Sequence, residues 1–289
     1  MAFDDVMGQT MQWLTATEAL AALGAELAAL QPGADVPPEI REALRAVTGA
    51  AGLSGLDELE CQQQQMMIGI IRTYLHQSLD LLENPGRAPG WTFTDPVILE
   101  GWGRASMMVP PMIAAAHADL RGVGTFLDVG TGVGWLAVSA ASVWPDAAIV
   151  GIDTWSTSLD RARENVGSVG LDGRITLREQ DLAALDDVDA YDCAWIPSFF
   201  IDDDVLLDGL AATRAALRPG GWVVVGIMRP APHPLAAAVS DLRTRRGGGT
   251  TLDPDAAATL LDKAGFVDVH VAPSPGPSPM QLVLGQRTV

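Results

Sequence analysis

The segment Phe126–Val138, FLDVGTGVGWLAV, joins a short apolar run to three glycines at alternate positions, Gly130, Gly132 and Gly134, and then to a helical pattern. A turn built this way can fold tightly and lets a ligand come close to the backbone. The helix behind it offers free N–H groups to a polar ligand. In a dinucleotide-binding G-x-G-x-x-G turn the third glycine would fall at position 135, which is Trp135. No Lys-Ser/Thr pair follows, which excludes a P-loop. Two carboxylates flank the turn: Asp128 ends the apolar run before it, and Asp153 ends the next run, VGIDTW (Val150–Trp155). A carboxylate is acceptor-only and can accept two hydrogen bonds at once.

The elements that must position these residues follow from the hydrophobic rhythm. From Thr125 onward short apolar runs alternate with amphipathic stretches. Strands are predicted at 125–129, 148–152, 175–178, 192–196, 222–227, 267–271 and 281–285. Helices are predicted near 134–143, 156–169, 203–217, 234–244 and 253–264. The pattern implies an α/β fold: a doubly wound, mostly parallel seven-strand sheet. The last two strands are joined only by Pro273–Pro279, PSPGPSP, with no helix, so the final strand must be antiparallel. Before Gly90 the pattern is helical: about 4–30, a short helix opened by Pro37-Pro38, and a third to about Glu83 capped by Ser54 or Asp57. The expected organisation is an N-terminal helical cap over 1–94 and a ligand-binding domain over 95–289, led by a helical piece at 95–120 that breaks at Pro110-Pro111.

From Phe126 to Val289 the chain resembles the class I S-adenosylmethionine (SAM) methyltransferases, on the glycine turn, Asp128, VGIDTW, Gln180-Asp181, the Leu217–Trp222 LRPGGW turn and Gly265-Phe266. The resemblance implies SAM as cofactor, with Gly130, Thr131, Gly132 and Gly134 around its amino-acid tail and Asp128 bonded to the same part. It implies Asp153, beside Thr154, on the ribose hydroxyls, and Gln180 with Asp181 near adenine, although Asp181 serves equally as a helix cap. The stretch Gly90–Ser106 resembles the leading segment of bacterial small-molecule methyltransferases, with Trp102 where those often carry Gln. Arg104 in it could bind the SAM carboxylate bidentately or lie on a helix surface.

Catalytic candidates are fewer, because a sulfonium methyl is already activated and asks the protein mainly for alignment and dryness. The run Tyr191–Ile201 lacks an Asn/Asp-Pro-Pro motif, which disfavours nucleobase amines. Trp195, Ser198, Phe199 and Phe200 in it could wall a small substrate or simply pack. His233, in the loop after the fifth strand, could be a general base or a solvated loop residue. Tyr74, with Met66 and Met67, could close over the substrate or belong to a helix core. His76, His117 and His270 read as surface residues.

The remaining composition narrows the partners. With 36 acidic against 18 basic residues, the net charge of -18 repels phosphate backbones, so nucleic acid is disfavoured. Cys61 and Cys193 lack metal-ligand spacing and read as buried free thiols of a cytoplasmic protein; no metal and no membrane span are expected. The reading is thus a methyltransferase acting on a small-molecule O-, N- or C-nucleophile in secondary metabolism, with a homodimer through the helices left open. The alternative is a SAM cyclase that releases methylthioadenosine and forms a small-ring amino acid such as azetidine-2-carboxylate or 1-aminocyclopropane-1-carboxylate.

Overall fold

The computed structural model describes residues 2–231, 233–273 and 278–288, so most of the predicted Pro273–Pro279 connector lies outside the described residues. The chain forms two compact units: Met1–Pro85 with Asp95–Ala105, and Gly86–Thr94 with Ser106–Val289.

The first unit is helical. It contains α1 (Phe3–Ala29), α2 (Pro38–Ala50), α3 (Cys61–Glu83) and most of α4 (Pro96–Ser106). Proline at the start of α2 and α4 fits the first helical turn, where the missing N–H has no partner to lose. Close packing of α3 on α4 depends on Gly101, where a Cβ would lie well inside contact distance of the Thr73 hydroxyl. A buried carboxylate, Glu26 on α1, is held by the Thr48 hydroxyl of α2 at 2.5 Å. Two expectations need correction. The start of α3 is not capped by Ser54 or Asp57: a short 3₁₀ turn occupies 56–58, and α3 begins after Glu60, whose N–H donates to Gln63 Oε1 at 3.0 Å. Nor is Cys61 buried. As the first residue of α3 it is exposed, because the buried face of that helix lies at Gln64, Ile71 and Thr73.

The second unit is the α/β body. It contains α5 (Val109–Ala116), β1 (Thr125–Val129), α6 (Trp135–Val143), β2 (Ala148–Asp153), α7 (Ser156–Ser168), β3 (Ile175–Glu179) and β4 (Tyr191–Pro197). After these come α8 (Asp203–Ala216), β5 (Leu217–Met228), α9 (Pro234–Arg246), α10 (Pro254–Lys263), β6 (Val267–Val271) and β7 (Met280–Gln286). The seven strands run in the order β3-β2-β1-β4-β5-β7-β6, parallel except for β7, which is antiparallel to both neighbours. One face packs Leu127, Ala194, Ile196, Val223 and Val225 against Leu206 and Leu210 of α8 and Leu261 of α10. That burial supplies the main drive to fold. The 95–120 piece divides as expected at its prolines, into α4, α5 and a 3₁₀ turn.

The Pro219-Gly220-Gly221 stretch is not a turn preceding the fifth strand. It lies within β5, where Tyr191 pairs with Leu217 and Cys193 with Trp222, so the intervening residues bulge. Gly220 takes φ +81° there. The bulge is clipped by Arg218, which donates to Asp192 Oδ1 (2.6 Å) and Thr125 Oγ1 (2.9 Å), while Asp192 Oδ2 accepts from the N–H groups of Gly124 and Thr125. This network ties together the amino ends of β1, β4 and β5. Strand order reverses between β1 and β4, and in open parallel sheets ligands bind at the carboxyl ends of the strands flanking such a reversal.

Candidate functional site

The carboxyl ends of β1, β2 and β4 meet at the glycine turn. Gly130, Gly132 and Gly134 have φ of +66°, +56° and +84°, all in the region that L-residues with a Cβ avoid. Their surroundings differ. A Cβ on Gly134 would sit 3.1 Å from the Cβ of Ala162 on α7, so that glycine also serves helix packing. A Cβ on Gly132 would meet nothing nearer than the Gly130 carbonyl at 3.9 Å, which leaves open space beside it. The turn is pinned to β2 by Thr131 N–H on the Ile152 carbonyl (3.0 Å) and to α7 by Asn165 Nδ2 on the Val133 carbonyl (2.9 Å).

Both carboxylates belong to this turn. Asp128 is fully buried; its Oδ2 accepts the Thr131 hydroxyl at 2.7 Å, and its Oδ1 has no hydrogen-bond partner. Burial pushes its pKa up to about 7, against the pull of the Thr131 hydroxyl and with a further push from the Asp153 charge. Asp153 Oδ2 accepts the Gly132 N–H and its Oδ1 the Trp155 N–H, each at 2.8 Å. Burial raises its pKa too, opposed by backbone N–H groups of Trp155, Gly132 and Thr154. The Gln180 N–H reaches the Asp153 carbonyl at 3.0 Å. The Gln180 side chain donates to the Ala184 carbonyl, and Asp181 caps the same 3₁₀ turn by accepting from Ala183 N–H at 2.8 Å. Asp128, Gly130, Thr131, Gly132, Gly134, Asp153, Gln180 and Asp181 therefore form one connected edge, with Thr154 exposed at its rim.

The other sequence candidates are placed differently. Trp195 pairs in register with Asp128 and is buried, its ring lying where a Cβ on Gly226 would stand 2.1 Å from Cη2. Ser198 is also buried, and its hydroxyl donates to the Gly226 carbonyl at 2.9 Å, so it clamps β4 to β5. Exposed His233 caps α9 by accepting Leu235 N–H at Nδ1 (3.3 Å), which leaves Nε2 outside that bond. Tyr74 and Arg104 lie in the helical unit. The Tyr74 ring is 6.0 Å from that of Trp102, and Arg104 Nε is 3.8 Å from Glu100 Oε2. His76, His117 and His270 are partly buried rather than plain surface residues, with His76 Nδ1 2.6 Å from Asp95 Oδ2 and the His117 ring 4.4 Å from Trp222.

Several residues of this region escaped sequence reasoning. Gly151 on β2 makes room for the turn, since a Cβ there would meet Thr131 Oγ1 at 2.6 Å. A glycine inside an apolar strand was the available signal. Trp91 and Phe93 join Phe199 and Phe200 in an aromatic group, with Trp91 4.6 Å from Phe200 and 5.1 Å from Phe93. Pro197 lies against Gly130, 3.4 Å from where its Cβ would be, so the residues leading into this aromatic group border the glycine turn.

Comparison with known proteins agrees with this geometry. A profile described as a methyltransferase domain matches residues 126–221. Among curated proteins the chain is 28% identical over 171 residues to an arsenite methyltransferase of Halobacterium salinarum, covering 55% of this chain and 41% of that one. It is 33% identical over 116 residues to a ribosomal protein L11 methyltransferase of Symbiobacterium thermophilum, covering 40% and 36%. The chain spans less than half the length of the curated relatives it matches. Solved structures match across the whole chain. The apo SAM-dependent methyltransferase SibL aligns at TM-score 0.69 and 21% identity, covering 97% of this chain and 99% of its own. An O-methyltransferase family protein from Burkholderia thailandensis aligns at 0.69 and 18%, covering 100% and 98%. Human N-acetylserotonin methyltransferase in complex with SAM aligns at 0.66 and 16%, covering 99% and 96%. At these identities the likeness concerns the fold. Residues 126–221 thus carry a methyltransferase domain, and the chain as a whole has the fold of the SAM-dependent methyltransferases it aligns with.

Proposed function

We propose that this protein transfers the methyl group of SAM to a nucleophilic oxygen, nitrogen or carbon of a small molecule. The observation that carries the reading is Asp128, a fully buried carboxylate with one oxygen unpartnered, beside a glycine turn with open space at Gly132. An orphaned acceptor in such a place is costly unless a ligand donor completes it. The ammonium of the SAM amino-acid tail is a donor of the right kind, and Asp153 at the next strand end offers two acceptor oxygens to the ribose hydroxyls. Gln180 and Asp181, bonded to the same edge, are assigned to the adenine side. Arg104 keeps its assignment to the cofactor carboxylate on the resemblance of Gly90–Ser106, and Tyr74 its assignment to the acceptor on the residue pattern of the third helix.

When bound, SAM supplies a methyl already activated as a sulfonium. The work left to the chain is to fix the cofactor, align the acceptor in line with the departing sulfur and exclude water. Buried Trp195, in register with Asp128, and Ser198, bonded to the Gly226 carbonyl, are assigned to the acceptor side. Where the acceptor carries a proton, His233 Nε2 is the assigned base. A small acceptor is favoured over a nucleic acid by the net charge of -18. Fold neighbours whose names specify small molecules, such as mitomycin 7-O-methyltransferase MmcR, point the same way. We assign the activity to secondary metabolism in a reducing cytoplasm, consistent with two unpaired cysteines and with no described helix long and apolar enough to cross a membrane.

Incubation with labelled SAM and a panel of phenols, amines and carboxylic acids tests the reading. S-adenosylhomocysteine should appear only with an acceptor present. Methylthioadenosine released from SAM alone would overturn it in favour of the cyclase.

A further inference from the structure

The carboxyl end of β5 carries a cation that the cofactor edge does not use. Arg229 follows Met228, the last residue of β5, and its N–H donates to the Pro279 carbonyl at 2.8 Å, so the backbone is fixed at this point. The residue is half-buried and its Nε is wholly buried. None of its side-chain nitrogens has a hydrogen-bond or ion-pair partner among the described residues. Other half-buried arginines of the α/β unit are engaged. Arg178 pairs with Asp187 at 2.7 Å and Arg287 with Asp189 at 2.6 Å, Arg174 holds the carbonyls of Ala141, Trp144 and Ala147, and Arg214 donates to the Gly265 carbonyl. The chain has 36 acidic residues for 18 basic ones, yet no described carboxylate meets Arg229. A half-buried guanidinium with an orphaned donor is unfavourable unless an anion completes it. The planar edge formed by Nε and one Nη matches the two oxygens of a carboxylate.

We propose that Arg229 binds a carboxylate group of the methyl acceptor, which makes the acceptor a carboxylic acid with an apolar body. The proposal rests on the methyl-transfer reading for the acceptor's role. Arg229 leaves the sheet at its carboxyl edge, the edge that carries the glycine turn. Pro197 of β4 pairs with Gly226 of β5, and the Ser198 hydroxyl donates to the Gly226 carbonyl, so the segment bearing Phe199 and Phe200 departs beside the last residues of β5. Those two rings and Trp91, all half-buried, give this side aromatic surface for an apolar body. His233, the assigned base, stands four residues beyond Arg229 in the same connection. The carboxylate of the cofactor is a poorer partner, because β5 is separated from β1 and its glycine turn by β4, roughly 10 Å across two strand spacings. The field of a chain with net charge -18 opposes anions in general, so a carboxylate is held only where a local cation outweighs that field. Arg229 would thereby select acids over the corresponding neutral molecules.

The test uses the intact chain with saturating S-adenosylhomocysteine and follows melting temperature against added benzoate, phenylacetate and 4-hydroxybenzoate. Each acid is set beside its amide, and beside inorganic phosphate, at equal ionic strength. At least one acid should stabilise the wild type where its amide and phosphate do not. Arg229→Gln should weaken the apparent affinity for that acid at least tenfold. Arg229→Lys should weaken it less, because it keeps the charge and loses only the fork, and this variant carries the comparison if Arg229→Gln does not fold. Arg121→Gln, a change at an exposed arginine before the amino end of β1, should leave it unaltered. Affinity for S-adenosylhomocysteine should be the same in wild type and in both Arg229 variants. No acid outperforming its amide, protection by phosphate equal to that by the acid, an unchanged affinity in the folded variants, or a matching loss of S-adenosylhomocysteine binding would each overturn the proposal. A wild type that binds no S-adenosylhomocysteine at all would instead remove the methyl-transfer reading beneath it.

Discussion

An ionised carboxylate with no exposure and an unpartnered oxygen is unfavourable, and Asp128 meets that cost by holding a proton to about pH 7. The sign of the consequence is set by the raised value: the native state keeps the proton where an unfolded Asp has lost it. Ligand-free protein should therefore lose stability as pH rises from about 4 to about 7, by about 4 kcal/mol at the limit. Asp128→Asn should show a flatter melting-temperature profile across that window. Parallel profiles for the two proteins would contradict the assignment. On the proposed contact between the ionised form and the ligand ammonium, S-adenosylhomocysteine affinity should weaken as pH falls through 7 in the wild type and vary less in Asp128→Asn. Gly134 makes a second residue-scale prediction. Its φ of +84° and the 3.1 Å approach of Ala162 mean that Gly134→Ala should cost about 1–3 kcal/mol by chemical denaturation.

At the scale of elements, β4 and β5 are matched through one void and one large ring. Trp195 fills the space that the missing side chain of Gly226 leaves, so Gly226→Ala should overpack the pair and cost about 1–3 kcal/mol. The double variant Trp195→Leu/Gly226→Ala should be less destabilised than the sum of its singles, because the clash needs both partners. This pairing was not readable from sequence, since nothing in the local pattern says which glycine faces which ring. The glycine turn was readable because its requirements are local: an apolar strand, positive φ at fixed spacing and a helix behind it. Strand and helix ends fell within a few residues of their periodicity signals. The exception was Pro219-Gly220-Gly221, whose turn chemistry is real but is absorbed by a bulge that the Arg218–Asp192–Thr125 clip stabilises across three strands. Cys61 was misread for a similar reason, because periodicity locates a helix more securely than it locates the helix's buried side.

For the molecule as a whole, the order of strands decides where chemistry can occur. The reversal between β1 and β4 leaves a crevice at their carboxyl ends, and the glycine turn, Asp128, Asp153 and the Pro197-to-Phe200 segment all arrive there from separate parts of the chain. The carboxylate-and-glycine part of that convergence was legible because each residue sits at a strand end marked in the sequence. The aromatic part was not, since Trp91 and Phe93 reach Phe199 and Phe200 only through tertiary packing. Calorimetric titration of S-adenosylhomocysteine into wild type and Asp153→Ala tests the central claim most directly, with melting curves to establish that the variant is folded. On the proposed ribose contact, removing this carboxylate should weaken binding by about 1–3 kcal/mol, roughly five- to 150-fold. Equal affinity in a folded variant, or no binding by the wild type, would contradict the assignment of this edge to the cofactor.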